Sequence, residues 1–226
     1  MKRTILYIAL VVAFFGCANG QSKTGDYAPA KLPAVKPGEA VATFAGGCFW
    51  AMSESMSELR GVNQVISGFA GGSTKNPTYD DVCTKTTGHA ETVQVYYDPK
   101  VISYEKLAEA FFYAHNPTEL NYQGPDQGDD YRSAVFYRTP EEKAILLTLV
   151  KTINASKHYN APIVTQVVPF TVFYPAENYH QGYYKLHIND QSGEFNAGYL
   201  RAVSEPKVLK MRAAEKAQLK PEFQKM

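Results

Sequence analysis

Cys48 stands directly after Gly46-Gly47, at the start of a helix-compatible run that begins with Phe49 and Trp50, the single tryptophan of the chain. A thiol at a helix start meets unpaired backbone N–H groups and the positive end of the helix dipole, and both favour the nucleophilic thiolate. The glycines let the backbone turn closely around the sulfur, and the two aromatic rings can wall it with apolar surface. A structural cysteine in an aromatic core is the competing reading. Glu91 opens an apolar strand after Gly88-His89-Ala90. A carboxyl among apolar neighbours can keep its proton near neutral pH and act as an acid. Tyr79 and Tyr131 follow turn residues and can donate hydrogen bonds to a developing oxyanion. Asp126 lies in the same long loop as Tyr131. Each of these has a structural alternative: a capped glutamate, surface phenols, an Asx-turn. The five histidines (positions 89, 115, 158, 180 and 187) show no Cys/His metal spacing, so no metal site is expected. Two other chemistries compete. Cys48 paired with His89 or His180 is a thiol hydrolase, and a redox sensor or binding module for oxidised proteins stops after one equivalent.

These groups need elements to position them. Val41 to Phe44 is a β-rich run closed by Gly46-Gly47. Cys48 to Leu59 places Met52, Met56 and Leu59 on one helical face, and Gly61 stops it. Val62–Phe69 and Glu91–Tyr97 read as strands, the second alternating Val93, Val95 and Tyr97 on one face. Ser103 caps a helix whose stripe is Leu107, Ala110, Phe111 and Ala114. Thr139-Pro140-Glu141-Glu142 starts another, and Ile163–Val168 is a further strand. Between Asn116 and Tyr131 runs a loop of about sixteen residues, a length that in compact domains is often functional. The pattern predicts an α+β domain over 40–205, a mixed sheet with helices on one face.

The chain has 226 residues, 45% hydrophobic and 20% charged, with a formal charge of +1. That balance excludes a nucleic-acid binder working by phosphate neutralisation. Three cysteines are too few for a disulfide scaffold. Residues 1–16, with Lys2-Arg3 before an apolar run, read as a signal peptide. Gly16-Cys17 resembles a lipobox, which makes Cys17 the candidate lipidation site. The expectation is export to the periplasm or cell surface with membrane contact through that lipid, plain secretion being the alternative. Loss of Lys2 and Arg3 with the signal leaves a formal −1. Residues 17–39 are a flexible tether. Residues 206–226, with six Lys/Arg and two Glu, form a solvated basic helical tail.

Gly46-Gly47-Cys48-Phe49-Trp50, Gly68-Phe69-Ala70-Gly71-Gly72, Asn76-Pro77-Thr78-Tyr79, Thr87-Gly88-His89-Ala90-Glu91, Gln123-Gly124-Pro125-Asp126, Tyr131-Arg132-Ser133 and Ala176-Glu177-Asn178-Tyr179-His180-Gln181 are similar, in order, to the signature runs of the A-type peptide methionine sulfoxide reductases. The resemblance covers about 40–205. It implies a two-layer α/β sandwich with a ferredoxin-like mixed-sheet core, acting on the S epimer of methionine sulfoxide without metal or organic cofactor. Carried over by motif, Cys48 is the nucleophile and Glu91 the acid. Tyr79 and Tyr131 hydrogen-bond the sulfoxide oxygen, Phe49 and Trp50 hold the methyl group, and Asp126 orders the polar side. The implied partners are oxidised peptides or proteins and an external, thioredoxin-like thiol reductant, with a monomer as the working state. Phe69, Asn116 and Ser53 depart from the commonest family residues. No cysteine follows Cys83, so a Cys48 sulfenic acid is reduced directly by the external thiol or is resolved by Cys83, whose favoured place is that of a small buried residue.

Overall fold

The computed structural model describes residues 26–225; the signal segment and Cys17 lie outside the described residues. The chain runs β1 (Ala40–Gly46), α1 (Phe49–Ser57), β2 (Val62–Ala70), α2 (Tyr79–Cys83), β3 (Ala90–Tyr97) and α3 (Tyr104–Tyr113). A small hairpin follows, β4 (Tyr122–Gln123) and β5 (Asp126–Gln127), then β6 (Ser133–Tyr137), α4 (Pro140–Ser156), β7 (Gln166–Pro169) and β8 (Phe173–Pro175). The last part holds α5 (Tyr183–His187) and α6 (Ala197–Tyr199), which continues through a π-helical turn, Leu200–Ser204, into α7 (Glu205–Ala214).

Six strands form one sheet in the order β7-β6-β1-β3-β2-β8. β1 and β3 lie antiparallel at its centre, with Phe44 opposite Val93, and only the β6–β7 pair is parallel. The central order β6-β1-β3-β2, with α1 joining β1 to β2 and α3 between β3 and β6, is the ferredoxin-like arrangement expected. On the helical side, Phe44, Val93 and Val95 pack against Met52, Met56, Leu107 and Phe111. The other face carries a smaller cluster of Ala45, Ile66, Ala90, Tyr96, Phe136 and Phe173. With both faces covered, β3 is buried along its whole length. Glu91 shares the parity of Val93 and Val95, and so points into the helical layer.

Local chemistry explains most element ends. The Ser103 hydroxyl accepts from Lys106 N–H, and the Thr139 hydroxyl accepts from Glu142 N–H ahead of Pro140. The strand expected from Ile163 starts instead at Gln166. Ile163 N–H is taken by the Asn154 side chain and Val164 N–H by the Pro117 carbonyl, so that stretch bonds a helix end and a loop before it joins the sheet.

Both ends differ from expectation. Within the stretch read as tether, residues 26–30 are held along 176–179 by Ala30 N–H on the Ala176 carbonyl (2.9 Å), Asn178 N–H on Ala28 (2.9 Å) and Tyr179 N–H on Asp26 (3.1 Å). The tail expected as a solvated helix is α7 in its first half. Val208 and Met211 are buried there, and Arg212 forms a two-pronged ion pair with the fully buried Glu58 of α1 (2.6 and 2.7 Å). Its charge pattern hid one apolar stripe and one buried partner.

Candidate active site

Gly47 turns the chain from β1 into α1 at φ +82°, and a Cβ there would lie 2.6 Å from the Gln123 side chain. Only glycine allows the long loop to close this tightly over the junction. Cys48 is then the N-cap of α1, 5% exposed, and Phe49 N–H is the first unpaired helix donor. Glu91 Oε2, rising from β3, accepts that N–H at 2.9 Å. A cavity of about 200 Å³ opens in front, lined by Cys48, Trp50, Tyr79, Glu91, Asp126, Tyr131, Asn196 and Tyr199.

Each wall is fixed from behind. Tyr79 opens α2, whose Thr78 and Asp81 cap each other, and its N–H is accepted by Glu177 Oε1 at 3.0 Å. Gln123 pins the long loop through both ends of its amide, accepting from Asn116 N–H (3.0 Å) and donating to the Asn116 carbonyl (2.7 Å). Arg132 anchors the turn that carries Tyr131 by donating to the carbonyls of Asp129 (2.8 Å) and Gly88 (3.1 Å). Trp50 stacks on Tyr183 with ring centroids 3.9 Å apart, and its indole N–H donates to His180 Nδ1 at 3.2 Å.

The electrostatics correct one expectation. The helix start does not make Cys48 a resting thiolate: burial, reinforced by neighbouring Glu91, pushes the thiol up to about 12. Burial also raises Glu91 to about 8, with Asp130 and Asp126 adding to it and the Phe49 N–H opposing. Tyr79 and Tyr131 are raised chiefly by burial and then by Glu91, so both hydroxyls remain proton donors. Near neutral pH the cavity therefore presents a thiol, a protonated carboxyl and phenols. Glu91 Oε2 holds the Phe49 N–H while Oε1 is left to carry the proton.

Cys48, Trp50, Tyr79, Glu91, Asp126 and Tyr131 thus meet in one cavity. Phe49 does not line it. Its ring is fully buried behind, against Phe69, Tyr79 and His180, and its contribution at the site is its N–H. Cys83, favoured as a small buried residue, is exposed, because it ends a short helix whose buried side chain is Val82. The rival Cys–His pair has no support in the geometry. His89 accepts from Gly72 N–H (3.1 Å) and bonds the Thr74 carbonyl (2.8 Å). Burial holds His180 neutral, lowered to about 3, with Nδ1 on Trp50. Among the described residues no cluster of His, Cys, Asp or Glu could hold a metal ion.

Asn196 and Tyr199 were missed. The Tyr199 hydroxyl donates to Asp126 Oδ2 at 2.8 Å, and Tyr199 lines the cavity together with Cys48. Asn196-Ala197-Gly198-Tyr199 carries no periodicity or charge that marks it, and only its aromatic ring beside a glycine could have drawn notice.

The model of the peptide methionine sulfoxide reductase family matches residues 40–213. The peptide methionine sulfoxide reductase MsrA of Polynucleobacter asymbioticus is 44% identical over 182 residues, covering 80% of this chain and 92% of the relative. MsrA 1 of Rhodopirellula baltica is 47% identical over 176 residues, covering 78% and 87%. Among solved structures, reduced Mxr1 from Saccharomyces cerevisiae superposes with a TM-score of 0.66 at 28% identity, covering 74% of this chain and 96% of that one. A match that spans both the sheet and every wall of the cavity, at this identity, leaves one assignment: the chain belongs to the A-type peptide methionine sulfoxide reductases, an oxidoreductase family.

Proposed function

We propose that the protein reduces the S epimer of methionine sulfoxide in peptides and proteins, through a Cys48 sulfenic acid that an external thiol returns to the resting state. The observation that carries this is the buried Cys48 thiol beside a carboxyl that is still protonated near neutral pH, in a cavity lined by the phenols of Tyr79, Tyr131 and Tyr199 and the indole of Trp50. A sulfoxide sulfur is a weak electrophile until its oxygen takes a proton.

Cys48 sulfur bonds to the sulfoxide sulfur while the oxygen, hydrogen-bonded by Tyr79 and Tyr131, takes the Glu91 proton. The carboxylate recovers the proton that leaves the thiol. The oxygen passes to Cys48, the bond between the two sulfurs breaks, and methionine departs. Methionine sulfur is reduced by two electrons and Cys48 is oxidised by two, to S–OH. Two equivalents of an external thiol then regenerate the thiol, giving water and a disulfide of the reductant. With the methyl group against Trp50 and the oxygen on the acid and phenols, only one hand at sulfur directs the rest of the substrate out of the mouth. The physiological reductant is a thioredoxin-like protein, and the signal segment with Gly16-Cys17 supports work outside the cytoplasm on a lipid anchor.

The test is steady-state reduction of peptides carrying resolved S- or R-methionine sulfoxide with excess dithiothreitol. The expected outcome is many turnovers on S, none on R, and the same for the Cys83→Ser variant. One equivalent per chain, or turnover on R, removes the proposal, and a Cys83→Ser chain stalled as sulfenic acid makes Cys83 the resolving thiol.

A further inference from the structure

Lys207, on α7, has no part in the reaction as written above. Its ammonium nevertheless lies 3.4 Å from Asp126 Oδ2, the oxygen that also accepts the Tyr199 hydroxyl, and these two side chains are 16% and 10% exposed. A Cβ placed on Gly47 would sit 3.6 Å from the same ammonium, which puts the charge against the turn that presents Cys48. Tyr199 and Lys207 are eight residues apart. In a regular α-helix eight residues leave two side chains about 80° apart around the axis. The π-helical turn Leu200–Ser204 takes up one extra residue, so both land on the face that looks at Asp126.

We infer that Lys207 is a positioning residue of the reaction: its ammonium holds Asp126 and Tyr199 beside Cys48 and supplies the positive charge that supports the sulfur when it attacks. The other titratable groups that line the Cys48 cavity are acidic or phenolic: Glu91 from β3, Tyr79 from α2, Asp126 and Tyr131 from the long loop and its last turn, and Tyr199 from α6, with Asp130 acting on Glu91 from behind. Lys85 bonds the Gln127 carbonyl and offsets Asp130, and Arg132 is committed to the Gly88 and Asp129 carbonyls. Lys207 acts in the opposite sense to Glu91 on the Cys48 thiol.

This inference rests on Cys48 as the nucleophile. Its test reads the thiol itself and stays distinct from the activity assay. Iodoacetamide alkylation of the full chain is followed between pH 7 and 10 by mass spectrometry of the tryptic peptide that contains Cys48. Lys207→Met is expected to alkylate about tenfold more slowly, the change that one pH unit in thiolate formation produces, with sulfoxide turnover falling in parallel. Lys207→Arg, which keeps the charge, is expected to restore both to within about threefold. Wild-type alkylation in Lys207→Met overturns the inference, as does a slowing that Lys207→Arg shares. Should Lys207→Met fail to fold, Lys207→Gln takes its place with the same outcomes. A chain that alkylates normally at Cys48 and reduces no sulfoxide counts against the proposed function alone.

Discussion

Glu91 has to satisfy two demands with one carboxyl group. It accepts the Phe49 N–H through Oε2, and the proposed reaction asks it still to hold a proton at the working pH; burial meets the second demand by raising it from 4.5 to about 8. Activity should therefore fall as pH rises through about 8. The linkage to stability has the same sign. A carboxyl raised on folding contributes stability that is complete below its ordinary 4.5 and is lost as pH rises through its folded value. Glu91→Gln keeps the acceptor and removes the ionisation. It should lose about a hundredfold or more in kcat/KM, and melt several degrees above the parent at pH 9 while matching it at pH 5. Calorimetry at the two pH values, beside the turnover assay, checks both halves. Cys48, Glu91, Tyr79, Tyr131 and Asp126 could be picked out in the sequence because each sits at a turn or element start that glycines, prolines or capping residues mark. Tyr199 and Lys207 could not, since what brings them to Asp126 is a π turn with no local signature.

The helix α1 joins chemistry to stability, with Cys48 at its N-cap and Glu58 at its C-cap. Glu58 is wholly buried beneath Arg212, and neighbouring Glu54 is pushed up to about 7, first by its own burial and then by Glu58. Removing the guanidinium leaves an uncompensated carboxylate inside the protein, which typically costs about 3–5 kcal/mol. Arg212→Leu is expected to lower the urea midpoint accordingly. It should also reduce turnover, because α7 carries Lys207 as well as Arg212. Elements with strong periods or explicit caps, such as β2, α3 and the start of α4, were readable from residue types to within a residue or two. The start of β7 was not, because Asn154 and Pro117 compete for its first donors across a fold that the local sequence does not encode.

At the scale of the whole molecule, the folded body is larger than its most recognisable part. The motifs delimit 40–205, yet residues 26–30 strap the segment that bears Glu177 and His180, and the helix beyond 205 is bolted to α1. Neither extension has a hydrophobic pattern long enough to declare itself: the first is held by backbone bonds, the second by the Arg212–Glu58 ion pair, a few buried apolar side chains and backbone bonds from Gln218 and Lys220 to the end of α1. The burial of Cys48 has a further consequence. Peroxides react with thiolates and hardly with thiols. A cysteine pushed up to about 12 and 5% exposed offers hydrogen peroxide almost no thiolate until a sulfoxide enters the cavity. At pH 7 the resting Cys48 should consume peroxide about tenfold or more slowly than an exposed thiol of ordinary acidity, measured as sulfenic acid trapped on its peptide. A methionine sulfoxide reductase can then persist in the same oxidant that creates its substrate.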